Sequence, residues 1–246
     1  MKDNFSTASD QYAQYRPTYP DAFFSYLSTL IPQSKTAWDC GTGNGQVAAK
    51  LASLFETVYA TDISASQIDH APKLPNILYS IQAAEKTHFP DNHFDLIVVA
   101  QAIHWFDFER FYAEVNRTSK QESLLVVMGY GLLKIAPEID ALIANFYKEV
   151  IGPYWDAERC YIDELYQTIP FPFEEIAAPN FSNTLEWTCE HLLGYLSTWS
   201  AVKHYIKTNG VNPLDLIAED LNYAYGNEMR QVDFPLLLRI GKVVKD

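Results

Sequence analysis

The chain has 246 residues, carries 18 Lys and Arg against 31 Asp and Glu for a formal net charge of −13, and is 48% hydrophobic. That acid excess repels phosphate backbones, and no basic stripe reverses it locally, so nucleic acid is excluded as an expected partner. Cys40, Cys160 and Cys189 are odd in number, far apart and without a CxxC pair, which argues against a disulfide framework or a zinc site and for a reducing, cytoplasmic setting.

In chain order, the first residues lack the apolar core of a signal peptide, and no run approaches the roughly 18 apolar residues of a spanning helix. A soluble protein with no membrane partner is therefore expected. From Thr36 to Met128 short apolar runs alternate with amphipathic stretches: Ala37-Trp38, Val58 to Ala60, Ile77 to Ile81, Phe94 to Ala100 and Leu124 to Met128 read as strands. Gln46 to Leu54, Ser64 to His70 and Phe108 to Thr118 read as helices. Strands alternating with helices imply parallel pairing and right-handed crossovers, hence an α/β fold with a doubly wound, Rossmann-like sheet. Within the run Asp95 to Ala100, Leu96 to Ala100 are apolar at consecutive positions, as a central strand covered on both faces requires.

After Met128 the rhythm changes. Ile139, Leu142, Ile143, Phe146 and Val150 repeat at helical spacing until Gly152-Pro153 stops them. Phe181 to Thr188 reads as a strand, Glu190 to Thr208 as one helix, and Asn212 caps a helix that starts at Pro213 and runs to Gly226. Phe234 to Val244 reads as a last strand, although Pro235 suits an edge or a strand start better than a ladder centre. The second half thus supplies two terminal strands with helices inserted around them as a cap over the strand ends. Two regions of one structural unit are expected: residues 1–134, an N-terminal lid plus the ligand-binding core, and residues 135–246, the helical cap and terminal strands.

The sharpest local signal is Asp39-Cys40-Gly41-Thr42-Gly43-Asn44-Gly45, between the first strand and the first helix. Glycines at alternate positions let the backbone turn tightly and approach a ligand where a β-carbon would collide. A dinucleotide fingerprint is GxGxxG, whereas Gly41, Gly43 and Gly45 give GxGxG with an acid two positions earlier. Pyrophosphate wants helix N–H groups and no carboxylate, so Asp39 argues against NAD. A sulfonium ligand with an α-ammonium group, S-adenosylmethionine (SAM), complements that charge, with Thr42 inside the same turn. A bland reading, a glycine turn that only joins strand to helix, stays open on this motif alone.

Asp62 follows Asp39 by 23 residues at the end of the second strand, where an acid can accept both ribose hydroxyls of an adenosine. Either Asp62 or Ser64 could instead cap the next helix, and both roles hold if Ser64 caps while Asp62 binds. Ala84-Glu85 follows the third strand, where a carboxylate could meet the adenine amine. Gln101 to Phe106 follow the fourth, at the carboxyl edge where such sheets bind ligands, with His104 and Trp105 toward the pocket.

On these residues the chain resembles the class I SAM-dependent methyltransferases, and within them the small-molecule group that contains trans-aconitate methyltransferase. The resemblance is carried by Tyr15 to Pro20, the DxGxGxG turn, Asp62-Ile63-Ser64, Ala84-Glu85, Phe94-Asp95-Leu96 and Ala102 to Trp105. It implies a seven-stranded sheet whose last strand is antiparallel, a helical cap, and methyl transfer from SAM to a small-molecule acceptor, a carboxylic acid. It also implies that Asp39, Gly41 and Gly43 lie near the methionine end of SAM, Asp62 at the ribose, Ile63 on a face of the adenine, Glu85 at its amine and Gln101 along the ligand. Cys40 departs from the family's more usual aliphatic residue.

Arg16 sits in a proline-punctuated aromatic segment that cannot be a helix interior, and its guanidinium could grip a carboxylate. His104, with an ordinary pKa near neutrality, is the candidate base if the acceptor is a hydroxyl. Among Tyr15, Tyr19, Trp105, Tyr130 and Trp199, the rings expected at the substrate are Tyr15, Trp105 and Trp199. His88 and His93 flank turn residues at a spacing that fits no usual zinc pattern, so no metal is expected. A monomer or homodimer is anticipated. The competing readings are a SAM-binding module without turnover and a nicotinamide oxidoreductase.

Overall fold

The computed structural model describes residues 15–31 and 33–245; the signal-peptide reading of residues 1–14, and any lid they form, lie outside these. Pro20 opens α1 (Asp21–Leu30), which buries Phe23, Phe24 and Leu27. Five strands then pair in parallel: β1 (Thr36–Cys40), β2 (Thr57–Asp62), β3 (Ile77–Ile81), β4 (Phe94–Ala100) and β5 (Ser119–Tyr130). Helix α2 (Gln46–Leu51) joins β1 to β2, α3 (Ala65–Asp69) joins β2 to β3, and α4 (Phe108–Thr118) joins β4 to β5. Among the described residues no helix is long and apolar enough to cross a membrane.

The side chains of β4 show why its run is continuously apolar. Leu96 and Val98 enter the core on one face of the sheet, Ile97 and Val99 that on the other, and both faces are covered. On the second face Trp38 packs on Phe94 and Phe111, and its indole N–H donates to Thr61 Oγ1 at 2.8 Å.

Beyond β5, α5 (Pro137–Asn145) runs into a π-helical turn at Phe146–Val150, and α6 (Cys160–Asp163) follows two short 3₁₀ turns. Two short strands, β6 (Glu174–Ile176) and β7 (Ser182–Trp187), precede α7 (Cys189–Ser197), α8 (Ser200–Asn209), α9 (Ala218–Tyr225) and the long β8 (Arg230–Lys242). Strand β8 lies antiparallel beside β5, giving the order β3-β2-β1-β4-β5-β8 with β6 and β7 at the far edge.

The sheet is thus doubly wound with antiparallel terminal strands, and it has eight strands where seven were expected. The extra strand arises because β6 and β7 divide one edge, each pairing with a different half of β8. No periodicity announces β6, which is two glutamates and an isoleucine; it is held by Arg239, which donates to both oxygens of Glu175 at 2.8 Å. Pro235 falls where β8 passes from its β7 partner to its β5 partner, so its missing N–H interrupts neither ladder.

The single helix expected over Glu190 to Thr208 is two. Trp199 adopts an extended backbone between α7 and α8, and its fully buried ring packs among Phe146, Tyr147, Trp155 and Tyr195. Burying that indole outweighs one more turn of helix, and the break turns Ser200 toward the strand ends. The cap shares one apolar core with the sheet face that carries Leu96 and Val98.

Candidate functional site

The chain winds outward from β1 through β2 to β3, then returns to the other side of β1 as β4. The carboxyl ends of β1 and β4 therefore frame the crevice where such sheets take ligands. The turns leaving these strands meet there. Gly41 has φ +71°, and a Cβ on it would lie 2.7 Å from Cβ of Ala102; Gly45 has φ +78°, and its Cβ would lie 2.6 Å from Tyr79 Oη. Only glycine satisfies both the left-handed backbone and the contact.

The N–H groups of Gly41, Thr42, Gly43 and Gly45 in this turn are spent internally. Gly41 and Thr42 donate to Thr61 O at 2.9 Å, Gly45 donates to Thr42 O at 3.0 Å, and Gly43 donates to Asp62 Oδ2 at 2.8 Å. An inward-facing set of donors is poor for pyrophosphate, which weighs against the nicotinamide reading. Beneath the turn Asp39 is fully buried and accepts from Thr42 Oγ1, while its Oδ1 makes no hydrogen bond of good geometry. Burial pushes its carboxyl up to about 7. A buried acid with an unsatisfied oxygen below a glycine turn suits a cationic ligand above it.

Asp62 also accepts from Ser64 N at 2.9 Å, and Ser64 caps α3 by accepting from Gln67 N. Capping and the strand-end carboxylate are therefore divided between the two residues. The crevice opens into a chamber of about 860 Å³. Gly41, Thr42, Gly43, Asp62 and Ile63 line one side; Gln101, Trp105, Arg16, Tyr19 and Tyr130 close the other. Asp39 and Gly45 support the turn without bordering this space. Ala84 is buried in the second-face core, and Glu85 accepts from Asp107 N at 3.2 Å, so both stand back from the chamber wall.

Gln101 has φ +54°, and its side chain is locked on β5: its Oε1 accepts from Tyr130 N at 2.9 Å and its Nε2 donates to Tyr130 O at 3.4 Å. Strain of this kind collects at ligand sites. Arg16 donates from Nη1 to Tyr130 Oη at 2.9 Å and from Nη2 to Thr198 O at 3.4 Å, spanning the distance from β5 to the cap.

A second chamber of about 480 Å³ adjoins the first and shares Arg16, Gln101 and Trp105 with it. His104, Trp155, Asp156, Arg159, Trp199 and Ser200 line the remainder, together with Ile162. His104 is buried beside Tyr166, whose hydroxyl lies 3.3 Å from Nδ1. Burial, with the charge of Arg159, pushes the imidazole down to about 3. This corrects the expectation of a histidine poised near neutrality.

Of the rings expected at the substrate, Trp105 and Trp199 border the second chamber. Tyr15 borders neither and packs edge-on to His191, 5.2 Å between centroids, with Gly194 beneath it. Tyr19 and Tyr130, set aside on sequence, line the first chamber instead. Arg159 was missed altogether, and no local pattern signals it: extended backbone at Trp155 and Asp156 leads into the 3₁₀ turn Ala157–Arg159, and the guanidinium lies 4.6 Å from the Trp155 ring centroid.

Comparison with known proteins agrees with this geometry. Residues 38–127 match the methyltransferase domain family. A Dictyostelium discoideum protein assigned as a methyltransferase is 35% identical over 98% of this chain and 95% of its own length. A solved structure from Anaeromyxobacter dehalogenans, assigned as a type II methyltransferase, superposes with a TM-score of 0.87 at 37% identity, covering 94% of this chain and 100% of that one. A Haemonchus contortus phosphoethanolamine N-methyltransferase crystallised with SAM shares the fold, with a TM-score of 0.50 at 16% identity over 98% of this chain and 57% of that one.

Proposed function

The chain belongs to the class I SAM-dependent methyltransferase family, and from that premise we propose that the larger chamber holds SAM and the smaller one a small carboxylic acid that receives the methyl group. The observation that carries this reading is the wall of Arg16, Gln101 and Trp105 shared by the two chambers, the one place where donor and acceptor would meet.

Asp62 takes the ribose hydroxyls. Its carboxylate, which accepts from Gly43 N and Ser64 N, stands at the end of β2 on the wall of the larger chamber, where an acid can meet ribose hydroxyls. Ile63 lies against the adenine. Gly41, Thr42 and Gly43 pass close to the methionine portion, and Asp39 below them supplies negative charge toward the cationic end. Glu85 and Ala84 act from behind, Glu85 by holding the Asp107 amide at the start of α4. Asp107 in turn caps that helix by accepting from Arg110 N at 3.2 Å.

Bound SAM supplies a methyl carbon activated by positive sulfur: an acceptor oxygen donates a lone pair to it, the C–S bond breaks with its electrons going to sulfur, and a methyl ester and S-adenosylhomocysteine (SAH) result. The protein's part is alignment, which in favourable cases lowers a barrier by about 7–11 kcal/mol. Gln101, pinned to β5, and Trp105 hold the meeting point, and Arg16 attracts the acid toward it. A carboxylate needs no base, which accords with a His104 too weakly basic to serve as one.

Calorimetry with SAM and SAH, followed by incubation of methyl-labelled SAM with small carboxylic acids, phenols and amines, tests the reading. Binding of both ligands and labelled ester from acids alone is expected; label in phenols or amines alone removes the carboxylate, and no heat with either ligand removes the whole assignment.

A further inference from the structure

His104 sits in the 3₁₀ turn Ile103–Trp105, just beyond the strained Gln101, and borders the smaller chamber but not the larger. Its two ring nitrogens have different surroundings. Nδ1 lies 3.3 Å from the Tyr166 hydroxyl, and the two rings stack with 6.2 Å between centroids. Nε2 makes no hydrogen bond to the described residues, which leaves it as the polar atom the ring offers to the chamber.

The Tyr166 hydroxyl reaches Nδ1 through a strained turn. Leu165 and Tyr166 have φ +56° and +60°, two consecutive left-handed residues that carry side chains, and Tyr166 is fully buried. Tyr166 N donates to Tyr161 O at 2.7 Å, and Arg239 Nη1 donates to Tyr166 O at 3.2 Å and to Ile169 O at 2.8 Å, so the surrounding chain holds this conformation in place. Gly129 of β5 makes room for the ring: a Cβ there would come within 2.9 Å of Tyr166 Oη and would collide with Gln101 Oε1. One bare position of β5 thus seats both this hydroxyl and the side chain of the wall shared by the two chambers.

A phenol O–H is a good donor and an unprotonated imidazole nitrogen a good acceptor, so the hydroxyl donates and Nδ1 accepts. Burial, with the charge of Arg159, pushes the imidazole down to about 3, so the ring is neutral and carries one proton. With Nδ1 taken as an acceptor, that proton sits on Nε2. A single neutral N–H suits an acid about to be alkylated: it binds one carboxylate oxygen, the one that becomes the ester carbonyl, and leaves the lone pairs of the other for the methyl carbon. The proton stays on Nε2 throughout. Resting on the reading of the smaller chamber as the acceptor site, we infer that His104 Nε2–H donates to one oxygen of the acceptor carboxylate, and that Tyr166 is the positioning residue that fixes this tautomer by donating to Nδ1.

The test uses full-length protein, its histidines labelled with nitrogen-15, saturated with SAH and read by proton–nitrogen correlation spectra; His104→Gln identifies which of the six histidine rings is His104. In the wild type Nε2 should be protonated and Nδ1 not, and titration with benzoate should shift the Nε2–H resonance as binding saturates. Tyr166→Phe keeps the ring but should give a mixture of both tautomers and weaken benzoate about threefold to tenfold, the effect of one ordinary hydrogen bond. His104→Leu should weaken benzoate about tenfold to a hundredfold, the range of a hydrogen bond to a charge, and His104→Gln, which can still donate an N–H, should recover part of that loss. SAH affinity should stay at its wild-type value in all three.

The wild-type spectrum needs no variant, so it decides even where a substitution unfolds the chain. A proton on Nδ1, a His104 signal that stays in place while benzoate binds, or a Tyr166→Phe protein with wild-type tautomer and affinity overturns the inference. An Nε2–H tautomer in protein that binds SAH but not benzoate instead overturns the reading of the smaller chamber as an acid site, and the donor's role with it.

Discussion

Asp62 ties the glycine turn to β2 and, on the proposed reading, also holds the ribose, two roles that separate assays of one substitution can tell apart. In the folded chain its carboxylate accepts from Gly43 N at 2.8 Å and Ser64 N at 2.9 Å, tying the glycine turn to the end of β2. Hydrogen bonds to charged groups contribute about 1.5–3 kcal/mol each, with the lower end apt for a side chain that water partly reaches. Asp62→Ala should therefore destabilise the protein by roughly 2–3 kcal/mol, a fall in Tm of about 4–12 °C for a chain of this size. If, as proposed, the same carboxylate accepts from both ribose hydroxyls, its removal adds a loss to SAM binding of about 3–6 kcal/mol, or a weakening in Kd of roughly a hundredfold to ten-thousandfold. Asp62→Asn retains one acceptor oxygen but turns an NH2 toward a backbone N–H, and should fall between. The assays are thermal melting without ligand and calorimetric titration with SAM. A lowered Tm with unchanged SAM affinity would make Asp62 a structural clamp only, and unchanged values of both would refute the account of the turn.

Burial holds the Asp39 carboxyl at about 7 against an ordinary 3.8, so the folded state binds more protons between these values. The resulting stability is fully present below about pH 4 and is lost as pH rises through about 7. Asp39→Asn should remove that slope from a plot of Tm against pH. A cationic ligand favours the ionised form, so SAM binding at pH 6 should release close to one proton, read from calorimetry in buffers of different ionisation heat; zero release contradicts the placement of Asp39 beneath the ligand. Gly41→Ala must adopt φ +71° with its Cβ against Ala102, costing about 1–2 kcal/mol from the dihedral alone and more from the contact. A variant with wild-type Tm and SAM affinity would show that this approach is not tight. His104 is neutral throughout the working range, so methyl transfer to acids should show no inflection near pH 6.5; one that vanishes in His104→Gln would restore the histidine as a base.

Much of the site was legible because it sits where local pattern and topology coincide. The DxGxGxG turn, the acid ending β2 and the residues leaving β4 are each within a few positions of a strand end, and a doubly wound sheet brings strand ends together. Ser64 as the cap beside Asp62 was readable from the same few residues. The smaller chamber was not legible in this way. Its walls come from Arg16, Gln101, Trp155, Arg159 and Trp199, which no local periodicity connects. Tyr15 and Tyr19 are alike in type and four apart, yet one packs on the cap helix α7 and the other borders the larger chamber.

What residue order alone determined is the parallel sheet and the glycine turn, because the side-chain period of a strand and the φ demands of a tight turn are properties of neighbouring residues. What only tertiary packing decided is which cations face the smaller chamber and how basic the histidine there can be. Both depend on desolvation by partners far away in the chain: the break at Trp199 that shapes the cap, and the burial of His104 next to Arg159.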